Sequence, residues 1–236
     1  DGDDTITIKD GTIFQDFSYI AAGNGVDTIT LESGAKFNQA NVYADAGDDI
    51  ININGAEFKD AGIHGGAGGD KIFVNSGKFD NASIEGDAGN DTIHIKAGAR
   101  FENSSIYGDG LLGETGNDTI IVEKGATLIN TTINGGAGYD TLKVADDSLD
   151  FSKVKNIEKL DLTEGNHNVS LSAKDVLDMT DSNNRLRIDG DNGDNVTLQG
   201  WLKDTNPTSD GYTVYTKVEG SHTVTLEIKD VVVHEI

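Results

Sequence analysis

A glycine-rich turn closed by aspartate recurs through the first 145 residues, and an alternating apolar run follows each turn. The closing residues are Asp4, Asp27, Asp49, Asp70, Asp91, Asp118 and Asp140, at intervals of 23, 22, 21, 21, 27 and 22. The turns read AGNGVD at 22–27, ADAGDD at 44–49, GGAGGD at 65–70, GDAGND at 86–91 and GGAGYD at 135–140. In the sixth, Gly108-Asp109-Gly110 and Gly116-Asn117-Asp118 are separated by an insertion, Leu111 to Thr115, which accounts for the long interval. Self-similarity at a fixed period of this length marks a repeat architecture.

Two and four places after each aspartate stand the pairs Ile6/Ile8, Ile29/Leu31, Ile51/Ile53, Ile72/Val74, Ile93/Ile95, Ile120/Val122 and Leu142/Val144. Period two means a strand with one buried face. A second turn follows at Gly11, Gly34, Gly55, Gly77, Gly98 and Gly125, then the row Phe14, Phe37, Phe58, Phe79, Phe101 and Leu128. Ile20, Val42, Ile63, Ile84, Ile106 and Ile133 come next, one per repeat. One such unit cannot bury its own apolar face, but stacked units can. The expectation is an all-β chain: a right-handed parallel β-roll or β-helix solenoid with coils of about 22 residues. Seven coils at about 4.7–4.9 Å each give a rod roughly 30 Å long.

After Val144 the repeat fades. This divides the chain into a roll over residues 1–145 and a mainly β capping region over 146–236 with one short helix. Ser172 to Asp175 has the form of a capping box and opens the helix. Val196–Leu198, Tyr212–Tyr215 and Val224–Ile228 read as strands that cover the open end of the solenoid.

Stacking brings the aspartates into register. Two carboxylates about 5 Å apart repel by roughly 3 kcal/mol at an effective dielectric of about 20. A file of seven opposes folding by an amount comparable to a domain's whole stability of about 5–15 kcal/mol. A divalent cation between successive turns removes that cost. Calcium takes about six to eight oxygens in flexible geometry, and glycine in left-handed conformations lets carbonyls turn toward one ion. There is no cysteine and no patterned histidine, which disfavours zinc. Asp45, Asp87 and Asp109 add a carboxylate at the second turn position, and Asp48 adds one at the fifth.

The bulk numbers agree. With 41 acidic against 18 basic residues the formal charge is −23, which repels nucleic acid and anionic membranes. Six bound calcium ions would bring it to about −11. Thirty glycines against a single proline suit a backbone that turns often, and the absence of cysteine rules out disulfides. No apolar run approaches the length of a transmembrane helix. The start, Asp1 to Asp4, reads as a cut through a repeat, so the chain is expected to be a fragment.

The turns resemble the RTX nonapeptide G-G-x-G-x-D-x-U-x over residues 1 to about 145, with full matches at 65–70 and 135–140. The resemblance implies calcium held between turns by the last-place aspartates, Asp27, Asp49, Asp70, Asp91, Asp118, Asp140 and more weakly Asp4. It adds carbonyls of the turn glycines, Gly23, Gly25, Gly47, Gly66, Gly68, Gly89, Gly116, Gly136 and Gly138. Up to about six ions would fit. The coil here is longer than the common RTX coil, and its second turn is Gly-Ala-x-Phe, so one metal edge and one dry edge are expected. The segments 156–162, 172–177, 186–194 and 212–215 resemble the C-terminal target region of large type I-secreted adhesins. That implies an uncleaved export signal, the type I secretion machinery as partner, and a secreted or surface-retained extracellular location.

The expected role is a non-enzymatic calcium-dependent folding and secretion module. The alternatives are a glycan- or partner-binding module and an appendage of a secreted hydrolase or toxin. No G-x-S-x-G, H-E-x-x-H or P-loop is present. His64, His94, His167, His222 and His234 share no ligand spacing and read as surface residues, and Trp201 reads as cap core. Gly190 to Asp194 has the composition of one further ion site, out of phase with the repeat.

Overall fold

The computed structural model describes residues 1–110, 114–145 and 149–235. It is a parallel β-solenoid. The strands Thr5–Ile8, Thr28–Glu32, Ile50–Lys59, Lys71–Asp80, Thr92–Ile95, Thr119–Val122 and Thr141–Val144 lie side by side in chain order, all parallel. Register follows the repeat: Ile6 pairs with Ile29, Ile29 with Ile51, Ile51 with Ile72, and so on to Ile120 with Leu142. From Ile29 onward this row is sealed from solvent, because each rung is covered by the coil on either side. Leu111–Gly113, most of the insertion, and Asp146–Ser148, beside the boundary drawn at residue 145, lie outside the described residues.

Each coil has three walls. The second carries the phenylalanine row, with stacked rings: Phe14, Phe37, Phe58, Phe79 and Phe101 lie 4.2–5.0 Å apart between neighbouring centroids. The third is a separate parallel sheet running from Tyr19–Asn24 to Val154–Lys155, with the Ile20-to-Val154 row facing inward.

Between the second and third walls is a corner that a two-turn reading of the repeat does not contain. Gln39, Asp60, Asn81, Asn103, Asn130 and Asn156 occupy it, all at φ of 47–54°. Side chains with a local hydrogen-bonding group tolerate this conformation better than other non-glycine residues. Their amides also form a file: Asn81 Nδ2 donates to Asp60 Oδ1 at 2.6 Å, and Asn130 Nδ2 to Asn103 Oδ1 at 2.9 Å. The next residue is small and buried at Ala40, Ala61, Ala82, Ser104 and Thr131, and after Asn156 it is the buried Ile157.

The parallel ladder runs on past Val144. Leu142 pairs with Leu160, Leu160 with Ile188, and Ile188 with Ile228. The intervening excursions hold the single helix, Ala173–Met179, and a short parallel sheet of Asn168–Ser170, Asn195–Leu198 and Val232–Glu235. The helix has the capping box expected of it: Asp175 N–H donates to Ser172 Oγ at 3.1 Å and Ser172 N–H to Asp175 Oδ2 at 2.8 Å. Antiparallel strands Thr213–Glu219 and Leu202–Lys203 end the sheet, and Trp201 is buried beside them. Among the described residues no helix is long and apolar enough to cross a membrane.

Candidate metal centre

The first corner of each coil holds the aspartates, in one file. Asp27, Asp49, Asp70, Asp91, Asp118 and Asp140 are each no more than 2% exposed. Burial of so many carboxylates demands partners. One oxygen of each has one. Asp27 Oδ1 accepts the backbone N–H of Asp4 at 2.6 Å, and Asp49 Oδ1 that of Asp27 at 2.6 Å. The pattern repeats through Asp70, Asp91, Asp118 and Asp140 at 2.7–2.8 Å. Every aspartate thus caps the coil before it. At the end of the file Glu158 Oε2 accepts the Asp140 N–H at 2.9 Å, so a glutamate supplies the last rung.

The other oxygen has no partner. Oδ2 of Asp27, Asp49, Asp70, Asp91, Asp118 and Asp140 is buried without a hydrogen bond, as is Oδ1 of Asp109. In four coils this oxygen faces a glycine at the first turn position. A Cβ on Gly65 would lie 2.5 Å from Asp70 Oδ2 and 2.6 Å from the Gly86 carbonyl oxygen. On Gly86 it would lie 2.5 Å from Asp91 Oδ2 and 2.4 Å from the Gly108 carbonyl, and on Gly108 2.3 Å from both Asp118 Oδ2 and the Gly135 carbonyl. Gly135 makes the same approach to Asp140 Oδ2 and the Asn156 carbonyl, at 2.6 and 2.1 Å. A carboxylate and a carbonyl from the next coil therefore converge on one small space. In the two earlier coils that position is Ala22 or Ala44.

The electrostatics match. Burial, reinforced by neighbouring carboxylates, pushes Asp70 and Asp140 up to about 7, Asp91 to about 6 and Asp118 to about 8. The N–H bonds just described oppose the rise without cancelling it. Asp49, Asp109 and Glu158 are raised for the same first reason, desolvation. Hard oxygen donors, negative and short of partners, form the donor set that calcium takes. The residues fit that ion: the Oδ2 atoms of the file, with the first-position carbonyls of the following coils, would hold it, and its charge would offset theirs.

The other residues singled out in the sequence fall into place around this file. The fourth-position glycines form a second column: a Cβ on Gly47, Gly89, Gly116 or Gly138 would stand 1.6 Å from the carbonyl oxygen of the glycine one coil earlier, and on Gly68 1.9 Å. Gly25, Gly47, Gly68, Gly89 and Gly138 also have φ of 136–155°. Gly23, Gly66 and Gly136 share the second position with Asp45, Asp87 and Asp109, at positive φ for all but Asp109. Asp109 reaches the next turn, where its Oδ2 accepts the Ala137 N–H at 2.5 Å. Asp87 faces His64 instead, with 3.3 Å between Oδ2 and Nδ1. Asp45 is exposed. Asp48 Oδ1 accepts the Gly69 N–H at 2.8 Å, a turn contact on the surface. Asp4 is exposed and only donates to the file.

In the capping region, Asp194 is fully buried, but both of its oxygens are used. Oδ1 accepts the His167 N–H at 2.9 Å and Oδ2 the Asp191 N–H at 2.7 Å. It therefore lacks the unpartnered oxygen that marks the repeat turns. His167 is not a surface residue: it is 2% exposed, with Nε2 2.9 Å from the Glu164 carbonyl oxygen.

Comparison of the chain with protein-family models, with curated proteins and with solved structures gives no match. The chemistry of the corner therefore has to follow from its own atoms.

Proposed function

We propose that this chain is a calcium-dependent folding module of an extracellular bacterial protein, with calcium held between stacked turns. The observation that carries the reading is the file of buried carboxylates, each with one oxygen capped by the neighbouring coil and the other unpartnered beside a carbonyl. Where free calcium is low, the file opposes folding and the acidic chain stays extended. At millimolar calcium, binding energy becomes folding energy. That coupling suits export in an unfolded state, by type I secretion, followed by folding outside. Through the resemblance of residues 156–215, the parent protein is proposed to be a large surface adhesin, and the module itself has no catalytic role.

A glycan-binding wall would need a regular row of side chains. The outward row of the first wall runs Thr30, Asn52, Phe73, His94, Ile121, Lys143 in register, which offers no repeating platform.

Calcium titration of the chelator-treated protein, followed by far-ultraviolet circular dichroism and calorimetry, tests the reading. Cooperative gain of β signal with several ions bound per chain is expected. Full β signal in excess EGTA at neutral pH, unchanged by calcium, would overturn it.

A further inference from the structure

The coil period also assembles a cluster outside the aspartate corner. On the third wall, Tyr43, His64 and Glu85 are successive rungs, while Ile63 and Ile84 alternate with them and point into the core. Asp87 lies two residues beyond Glu85. His64 Nδ1 stands 3.3 Å from Asp87 Oδ2 and 3.9 Å from Glu85 Oε2, and the three donor atoms all lie within 4.8 Å of one another.

Both carboxylates lie within ion-pair reach of His64. A charge-assisted hydrogen bond is about 2.7–2.9 Å long. Two ligands each about 2.1 Å from a tetrahedral ion stand about 3.4 Å apart. The His64–Asp87 gap of 3.3 Å is close to that second spacing. Charge argues the same way. One imidazole faces Glu85 and Asp87, and Asp45 and Glu114 line the same groove of about 630 Å³. The Glu85 side chain is only 8% exposed, so its charge is taken from water with at most one positive partner among the described residues. The imidazole is also held in place, since its ring stacks on Tyr43 with centroids 4.7 Å apart.

We propose that His64, Glu85 and Asp87 form a binding site for a divalent transition-metal ion of the zinc class, separate from the calcium corner. An imidazole nitrogen with two carboxylates is a donor set for zinc or cobalt rather than for calcium, which takes oxygen alone. The groove leaves the outward side of the ion open to water or to a donor from another molecule.

The test uses the full chain in millimolar calcium, so that the aspartate corner is filled. Zinc is titrated by calorimetry, and cobalt is followed by its visible absorption. Wild type is expected to bind one zinc ion, and cobalt to give ligand-field bands with a nitrogen donor. His64→Ala and Glu85→Gln should each lose more than about tenfold in zinc affinity, since even outer-shell changes cost about 10–100-fold. His94→Ala, whose imidazole pairs with Glu123 on another wall, should bind as wild type does. Circular dichroism in calcium confirms that each variant is folded. No zinc binding by wild type, or unchanged binding by both His64→Ala and Glu85→Gln, would overturn the proposal.

Discussion

Removing calcium should make the stability of the chain depend on pH in an unusual direction. Four carboxyls of the file stand at about 7, 6, 8 and 7, against an ordinary 3.8. Below about pH 4 they are protonated whether the chain is folded or not, and the file costs nothing. As pH rises above 4 the unfolded chain releases these protons while the folded chain still holds them, so unfolding gains. The loss continues until pH passes the raised values, between about 6 and 8, and then levels off. Each pH unit separating a carboxyl's folded and unfolded titration points corresponds to about 1.4 kcal/mol, so Asp70 alone opposes folding by about 4 kcal/mol at pH 8. Four such groups oppose it by on the order of 10 kcal/mol, as much as a domain's total of about 5–15. Groups held low, such as Asp189 beside Lys159 and Tyr212, lose their contribution only below about pH 4, so a comparison at pH 5 and pH 8 leaves them out. The assay is urea unfolding of metal-free protein at those two pH values and fixed ionic strength, read by circular dichroism. The metal-free chain should be folded at pH 5 and largely unfolded at pH 8, and calcium should restore it at pH 8. Equal stability at both, or greater stability at pH 8 without calcium, would refute the reasoning.

Two substitutions separate the parts of the corner. Asp118→Asn keeps an oxygen for the Asp91 N–H and places an amide beside the Gly135 carbonyl. By urea unfolding at pH 8 it should gain several kcal/mol without calcium, and by calorimetry it should bind at least one ion fewer than wild type. Gly86→Ala puts a methyl into the space between Asp91 Oδ2 and the Gly108 carbonyl. In calcium, urea unfolding should show a loss of about 1–3 kcal/mol from overpacking, with weaker calcium affinity in the same titration.

The repeat made the solenoid, its apolar rows and the aspartate file legible, because in a coil of constant length equal phase means equal place. Features that kept the phase but changed the residue type were harder to read. Glu158 ends the file because it precedes Leu160 by two places, as each aspartate precedes its strand residue, but its longer side chain and an 18-residue interval disguise it. The ladder beyond Val144 was hidden by the uneven intervals of 18, 28 and 40 residues that separate Leu142, Leu160, Ile188 and Ile228. The third corner had a signal, the Asn or Asp before a small residue in most coils, though apolar periodicity does not detect it. Likewise the histidines share no spacing with one another, yet Glu85 stands 21 residues after His64, one coil on. The bond from each aspartate N–H to the next carboxylate had no local signal at all, since it depends on which way a buried side chain turns.

The direction of assembly follows from where the opposing terms lie. In a solenoid each coil is stabilised by its neighbours, so folding spreads from whichever end is easiest to order. At the far end, Glu158 caps Asp140, and the parallel ladder continues without a break into strands ended by an antiparallel pair. The glycine-lined spaces run from Asp70 to Asp140, toward the capped end. The coils with the greatest need of a cation therefore adjoin the end that Glu158 caps. Ordered capping strands present Glu158 and the Leu160 rung to the last repeat, and on the proposed reading ion binding would extend the file coil by coil from there. The proposed calcium would not create the apolar ladder, whose rungs pair residue by residue through the repeat itself. Its proposed part is to remove the carboxylate term that opposes the ladder's closing.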